Sequence, residues 1–60
     1  MLSSREDEVA RLAGTGLSNR DIATQLHISV RTVDNHLHRV YEKLGISGRY
    51  DLPAALDPVP

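Results

Sequence analysis

The sequence of 60 residues contains no cysteine, no tryptophan and no phenylalanine. Without cysteine, the chain has neither a disulfide framework nor a thiolate metal site, which suits a reducing compartment such as the cytosol. A domain of this length buries only about 60% of the surface that its unfolded chain exposes. We therefore expect one small domain of modest stability.

Long apolar runs are also missing, and none approaches the roughly 20 residues that a membrane span needs. The N-terminus, MLSSREDEV, is acidic and lacks the basic segment and the apolar region of a signal peptide. An apolar content of 40% and a charged content of 25% are ordinary for a globular protein. We expect a cytoplasmic domain with no membrane partner.

The formal net charge is only −1, whereas domains that bind nucleic acids usually carry a clear basic excess. The charges are nevertheless sorted along the chain. Glu6, Asp7 and Glu8 crowd into the first ten residues. The third segment carries Arg31, Arg39, Lys43, His36 and His38 against only Asp34 and Glu42. The distribution of charge along the chain is therefore more informative about binding partners than the net charge.

Three serine residues mark the starts of predicted helices. Ser3 is followed three residues later by Glu6, which is the spacing of a capping box. Ser18 precedes Asp21 at the same spacing, and Ser29 precedes a third apolar pattern. Each serine hydroxyl is expected to cap the helix that follows it.

Apolar residues after each serine recur at helical spacing. The third segment shows this most clearly, with a stripe formed by Val33, Leu37, Val40 and Leu44. Glycines that can take a positive φ angle follow the first and third segments. The sequence thus predicts helices over about residues 4–13, 19–26 and 30–44.

A weaker helical pattern covers residues 49–56 and contains Pro53. Proline disrupts the interior of a helix but is favourable in its first turn, so this helix either begins near Pro53 or is interrupted there. Residues 57–60 cannot continue the helix and are predicted to fray. Since no strand signal exists, we predict an all-α fold of four helices in one domain over residues 1–56.

The short second helix, the tight turn and the longer third helix form the pattern of a helix-turn-helix, which places its second helix in the major groove of DNA. A polar face of the third helix lies opposite its apolar stripe. This face carries Arg31, Asp34, Asn35, His38 and Glu42. Asparagine can read adenine and aspartate can accept from the cytosine amino group, so Asp34 and Asn35 are predicted to contact bases.

Other polar residues suit contacts with the DNA backbone, which fix the register without reading sequence. The predicted backbone contacts are Arg31, Thr32, His36, Arg39 and Lys43 on the third helix and Arg20 on the second. Asp34 repels phosphates, so it discriminates against sequences that offer it no donor.

The sequence resembles the LuxR-type (GerE-like) helix-turn-helix domain at the C-terminus of many bacterial transcription regulators. The likeness rests on LSSREDEV at residues 2–9, GLSNRDIA at 16–23 and VRTVDNHL at 30–37, and it spans about residues 2–52. It implies a domain that binds double-stranded DNA as a homodimer on inverted half-sites. In the full regulator, this domain would be joined to a receiver, ligand-binding or ATP-binding portion.

The resemblance also implies residue roles. The positions that match base-facing residues of the family are Asp34, Asn35 and His38. Those that match positions near the DNA backbone are Thr32, His36, Arg39 and Lys43. Ser29 and Arg31 stand at the entry of the recognition helix, where the helix dipole and free amides favour a phosphate.

Two residues depart from the family pattern. Members of the family often carry a basic residue where Asp34 stands, so the usual half-site is not assumed and phosphate attraction is expected to be weaker. Pro53 lies in the helix that the family commonly uses for dimerisation, which weighs against dimer formation by these residues alone.

Functions of other classes have less support. An enzyme is disfavoured because the chain has no cysteine, no Gly-rich phosphate loop and no nucleophile–base pair at a suitable spacing. His36 and His38, two residues apart on a helix, point in different directions, and His27 is expected to be a partly buried structural side chain. We therefore expect no metal, cofactor or small-molecule ligand. A protein-interaction or dimerisation module and a sigma-factor-like promoter-reading region remain alternatives.

Overall fold

The computed structural model describes residues 2–56, whose regular structure is entirely helical. The helices are α1 (Ser4–Gly14), α2 (Asn19–Leu26), α3 (Val30–Leu44), a 3₁₀ turn (Arg49–Asp51) and α4 (Leu52–Leu56). The predicted all-α fold is confirmed, and the first three helices agree with their predicted bounds to within one residue. The tail predicted to fray, residues 57–60, lies outside the described residues.

All three predicted serine caps are present. The Ser3 hydroxyl oxygen accepts from the Glu6 amide at 3.2 Å, and Glu6 Oε1 accepts from the Ser3 amide at 2.9 Å, which completes the capping box. Ser18 and Ser29 each accept from the amide three residues further on, at 3.1 and 3.0 Å. Helices α1, α2 and α3 therefore each begin where a hydroxyl satisfies one of their free amides.

Helices α2 and α3 both end in a left-handed residue, His27 with φ 58° and Gly45 with φ 68°. In each case, the amide of the next residue bonds a carbonyl five residues back at 3.0 Å. The expectation that His27 is partly buried is wrong, because its side chain is exposed. Its structural contribution is the backbone conformation of the turn, which histidine tolerates better than most residues.

The segment 49–56 is helical, but its break does not fall at Pro53. A 3₁₀ turn ends at Asp51, and α4 begins at Leu52, so Pro53 is the second residue of α4. In that first turn, a backbone amide would have no α-helical partner, so the missing N–H of proline costs nothing. Of the two possibilities left open by the sequence, the helix that begins near Pro53 is the one observed.

One aliphatic core joins the helices, with α1 packed against α3 and α4, and α2 packed against α3. Its buried residues are Val9, Ala10, Ala13, Ile22, Ala23, Val33, Leu37, Val40 and Leu52. Leu44, the fourth member of the predicted stripe, is half-buried at the edge of this core. The stripe therefore fixes which side of α3 faces inward.

Leu37→Ala is expected to lower the free energy of unfolding by about 2–5 kcal/mol, because it leaves a cavity at a side chain that is only 3% exposed. A domain of this length has a total of roughly 3–9 kcal/mol. Leu44→Ala, on the same helix but half-buried, should cost clearly less. Urea denaturation followed by circular dichroism measures both, and equal losses would contradict the burial order.

Candidate nucleic-acid interface

The side of α3 that faces away from the core is polar and exposed. We call Arg31, Asn35, His38, Arg39 and Glu42 the outward face; all five are exposed. At about 100° per residue, this face lies opposite the buried stripe, whereas Asp34 and Lys43 fall on the two flanks of the helix. Of the residues predicted from sequence to share one polar face, only Asp34 lies at its edge.

Asp34 is exposed but is tied to the neighbouring helix. Asn19, the first residue of α2, donates a hydrogen bond from Nδ2 to Asp34 Oδ1. Arg49 in turn donates to Asn19 Oδ1 and to the carbonyl of Leu17. Sequence reasoning assigned no role to Asn19 or Arg49, because these contacts join residues 15 to 32 positions apart.

Lys43 lies on the opposite flank and is tied to α1. Its Nζ donates to Glu6 Oε1 at 2.7 Å, and its side chain is 43% exposed while that of Glu6 is 5% exposed. The carboxylate of Glu6 therefore receives the Lys43 ammonium and the Ser3 amide together. A residue predicted only as a helix cap also holds the C-terminal end of α3 in place.

These bonds lower the pKa of the Glu6 carboxyl from its ordinary value of 4.5 to about 2. The hydrogen bond from Lys43 is the largest cause, and the hydrogen bond from the Ser3 backbone follows, because both favour the charged carboxylate. Glu6 therefore remains ionised well below the range in which an exposed glutamate gains a proton.

Three predicted backbone contacts keep free positive charges. The guanidinium groups of Arg20, Arg31 and Arg39 are exposed and have no ion-pair or hydrogen-bond partner within residues 2–56. An unpaired guanidinium presents several donors in one plane, which matches the geometry of a phosphate. These arginines, unlike Lys43, can meet a phosphate without breaking an internal bond.

The hydroxyl groups at the entry of α3 form a pair. Ser29 Oγ lies 2.8 Å from Thr32 Oγ1, and either oxygen can be the donor. One of the two hydroxyl hydrogens is used between them, so the other is available to an outside acceptor. The pair, rather than Ser29 or Thr32 alone, is therefore the unit that can bind a phosphate at this helix end.

The histidines of α3 have different surroundings. His36 is half-buried, whereas His38 is exposed with its Nε2 3.8 Å from Glu42 Oε1. Within the part of the chain that the structure describes, no group of three or more His, Asp or Glu side chains is placed to hold a metal ion. His38 is therefore a polar residue of the outward face with one acidic neighbour.

Comparison with known proteins identifies the family. A family of bacterial regulatory proteins, the luxR family, matches residues 1–54. The chain belongs to the luxR family. The predicted resemblance is thereby confirmed, and with it a function in transcription regulation through DNA binding by a helix-turn-helix.

A solved relative has the same fold. The luxR-family chain superposes on the response regulator ChrA of a heme-sensing two-component system with a TM-score of 0.86 and 44% sequence identity. The match covers 92% of this chain and 27% of ChrA. The observed arrangement of helices is therefore that of a domain within a larger protein in ChrA.

Curated relatives are also much longer than this chain. An HTH-type transcriptional regulator of Mycobacterium bovis is 51% identical over 51 residues, which cover 85% of this chain and 6% of the relative. The transcriptional regulatory protein NarL of Mycobacterium tuberculosis is 45% identical over 49 residues, covering 82% of this chain and 23% of NarL. The luxR-family chain thus spans a small part of each relative. Among its described residues, no helix is both long and apolar enough to cross a bilayer.

Glu6→Gln is expected to change how stability depends on pH. Because the pKa of Glu6 is lowered in the folded protein, its contribution is complete above the ordinary value of 4.5 and is lost as the pH falls towards about 2. The variant should therefore be less stable at neutral pH and should lose less stability between pH 5 and about 2. Thermal unfolding across this range measures both curves, and parallel curves would contradict the assignment.

Proposed function

We propose that the luxR-family chain reads double-stranded DNA by placing the outward face of α3 in the major groove. The observation that carries this proposal is the exposed, largely unpaired polar face of a helix whose opposite side is locked into the core. The width of the major groove admits one α-helix, and its base edges are distinguishable by hydrogen bonding. The preceding α2 and its three-residue turn then lie across the DNA backbone.

Base readout is assigned to Asn35, Asp34 and His38. Asn35 points directly away from the core and has no partner within the described residues, so both ends of its amide can bond one adenine. Asp34 suits the amino group of a cytosine, and its charge penalises sequences that lack a donor there. His38 stands one turn beyond Asp34 and extends the contact along the groove.

Backbone contacts are assigned to the residues around this face. They are Arg20, Arg31 and Arg39, the Ser29–Thr32 hydroxyl pair, His36 and Lys43. The three arginines rank first because their charges are unpaired within residues 2–56. Lys43 ranks lower because a phosphate must share its ammonium with Glu6.

The chain acts as a binding domain of a larger regulator and not as an enzyme. The place within a larger regulator is supported by the small share that the chain covers of NarL and of ChrA, and the binding role by the match to the luxR family. We infer a location in the bacterial cytoplasm, because a DNA-reading domain must share a compartment with its DNA. The regulator is expected to act as a homodimer, since inverted half-sites match the two-fold symmetry of two such domains.

Selection of duplexes from a random pool at low salt tests the proposed readout. The chain should enrich one short sequence, and Asn35→Ala should blur it at one or two positions, because a good bidentate contact is worth about 1–3 kcal/mol of discrimination. Gln25→Ala, which removes an exposed amide from α2, is the matched control and should leave the sequence unchanged. A folded chain that enriches nothing would contradict the proposal and favour a protein-interaction module.

Arg39→Ala and Lys43→Ala test the ranking of backbone contacts. Loss of one phosphate contact should reduce the slope of log affinity against log salt by about 0.9 and should weaken all duplexes alike. We expect this for Arg39→Ala and a smaller change for Lys43→Ala, since Lys43 is paired with Glu6. Filter binding at several salt concentrations measures the slopes. A change of base preference in Arg39→Ala would contradict its role as a backbone contact.

A further inference from the structure

Asn19 links the recognition helix to the rest of the fold through a chain of hydrogen bonds. Asn19 is half-buried and is the first residue of α2. It accepts from Arg49 at Oδ1 and donates from Nδ2 to Asp34 Oδ1. The other terminal nitrogen of the Arg49 guanidinium donates to the carbonyl oxygen of Leu17, so this group is also bonded to the backbone.

The chemistry of the three side chains fixes the direction of this chain. Arginine has only donors and an ionised aspartate has only acceptors, so the amide between them can bond both in one orientation alone. The oxygen of Asn19 must face Arg49, and its amino group must face Asp34. A reversed amide would lose both bonds, so the arrangement resists rotation.

This arrangement restricts Asp34. An exposed aspartate on a helix otherwise samples several rotamers, and fixing one of them costs conformational entropy when a ligand binds. Here Oδ1 is held by Asn19, while Oδ2 has no partner within residues 2–56. The carboxylate therefore keeps one oxygen free for an outside donor, in an orientation already selected.

We propose that Asn19 is a specificity-determining positioning residue, which together with Arg49 orients Asp34 to accept from a base amino group. The inference rests on the proposed function of α3. Asn19 itself touches no base. It holds the free carboxylate oxygen of Asp34 in one orientation, so duplexes whose hydrogen-bond donor lies elsewhere bind more weakly.

Asn19→Asp separates this role from a purely structural one. The substitution keeps the shape of the side chain and an acceptor for Arg49, but it removes the donor and repels Asp34. Gln25→Glu is the matched control, because it makes the same change from amide to carboxylate on the exposed side of α2. Asn19→Ala removes the donor without adding charge. It replaces Asn19→Asp in the affinity measurement if that variant does not fold.

The measurement is the affinity ratio between the duplex selected by the unmodified chain and duplexes changed at each base pair. Asp34→Ala identifies the base pair that Asp34 reads, because discrimination at that base pair falls in this variant. At the same base pair, Asn19→Asp should reduce the affinity ratio by about fivefold or more, whereas Gln25→Glu should leave it unchanged. In an Asp34→Ala background, Asn19→Asp should have no further effect on that ratio, because the residue to be oriented is gone. Since both duplexes meet the same protein sample, loss of folded protein cancels from the ratio.

Three results would overturn the inference, and the third would overturn the proposed function as well. If Asn19→Asp leaves the ratio unchanged while the unmodified chain selects a sequence, only the role of Asn19 fails. The same holds if Asn19→Asp lowers the ratio equally in the Asp34→Ala background, which would indicate a general structural effect. If the unmodified chain selects no sequence, the proposed function fails and the inference fails with it.

Discussion

The burial of one stripe of α3 is the constraint on which the rest of the structure depends. Val33, Leu37 and Val40 are almost fully enclosed in a core to which α1 contributes Val9, Ala10 and Ala13. The described part of this chain of 60 residues thus buries one continuous core. Because this stripe cannot be exposed without losing the core, the opposite side of α3 is committed to solvent or to a partner.

Apolar packing alone does not fix the rotation of α3 closely, because the hydrophobic effect has no direction. Directional bonds on the two flanks add that control. On one flank Lys43 is held by Glu6 of α1, and on the other Asp34 is held by Asn19 of α2. The outward face lies between these two ties, so its residues are presented at a defined angle to the turn and to α2.

The same ties divide the charged residues by function. Glu6 neutralises one basic side chain of α3 while completing the cap of α1, and Arg20, Arg31 and Arg39 keep their charges unpaired within the described residues. A small net charge of −1 is therefore compatible with unpaired positive charges on α2 and α3, since three of the eight acidic residues, Glu6, Asp7 and Asp21, lie in the first turns of α1 and α2. Stability thus draws on the Glu6–Lys43 pair, whereas the strongest attraction to DNA is proposed for the three unpaired arginines.

Features set by local sequence could be predicted, whereas contacts between distant residues could not. The serine caps and the period of the stripe depend on neighbours within four residues, so they predicted the helices correctly, and the outward face except that Asp34 lies at its edge and Arg39 belongs to it. The pairing of Lys43 with Glu6 spans 37 positions and depends on how α1 packs against α3. A helical wheel does place Asp34 on a flank rather than at the centre of the polar face, but it does not indicate that Asn19 of α2 lies beside that flank.

His27 and Pro53 illustrate the limits of residue preference. A histidine in a turn was expected to be partly buried, but the left-handed end of α2 places its side chain in solvent. Pro53 is compatible with an interruption of the fourth helix or with its first turn. The helix begins at Leu52, which is fully buried in the core. The start of α4 coincides with the buried Leu52, and the position of His27 follows from the backbone conformation at the end of α2; the local sequence permits other outcomes at both.

Nuclear magnetic resonance of the labelled chain, titrated with the duplex it selects, tests the central claim most directly. The largest changes in chemical shift are predicted for the side-chain amide of Asn35 and for the backbone amides of the outward face. The amides of α4 and of the core side of α1 should change little. Changes concentrated on α1 and α4, with the Asn35 side chain unaffected, would contradict the claim that α3 reads DNA.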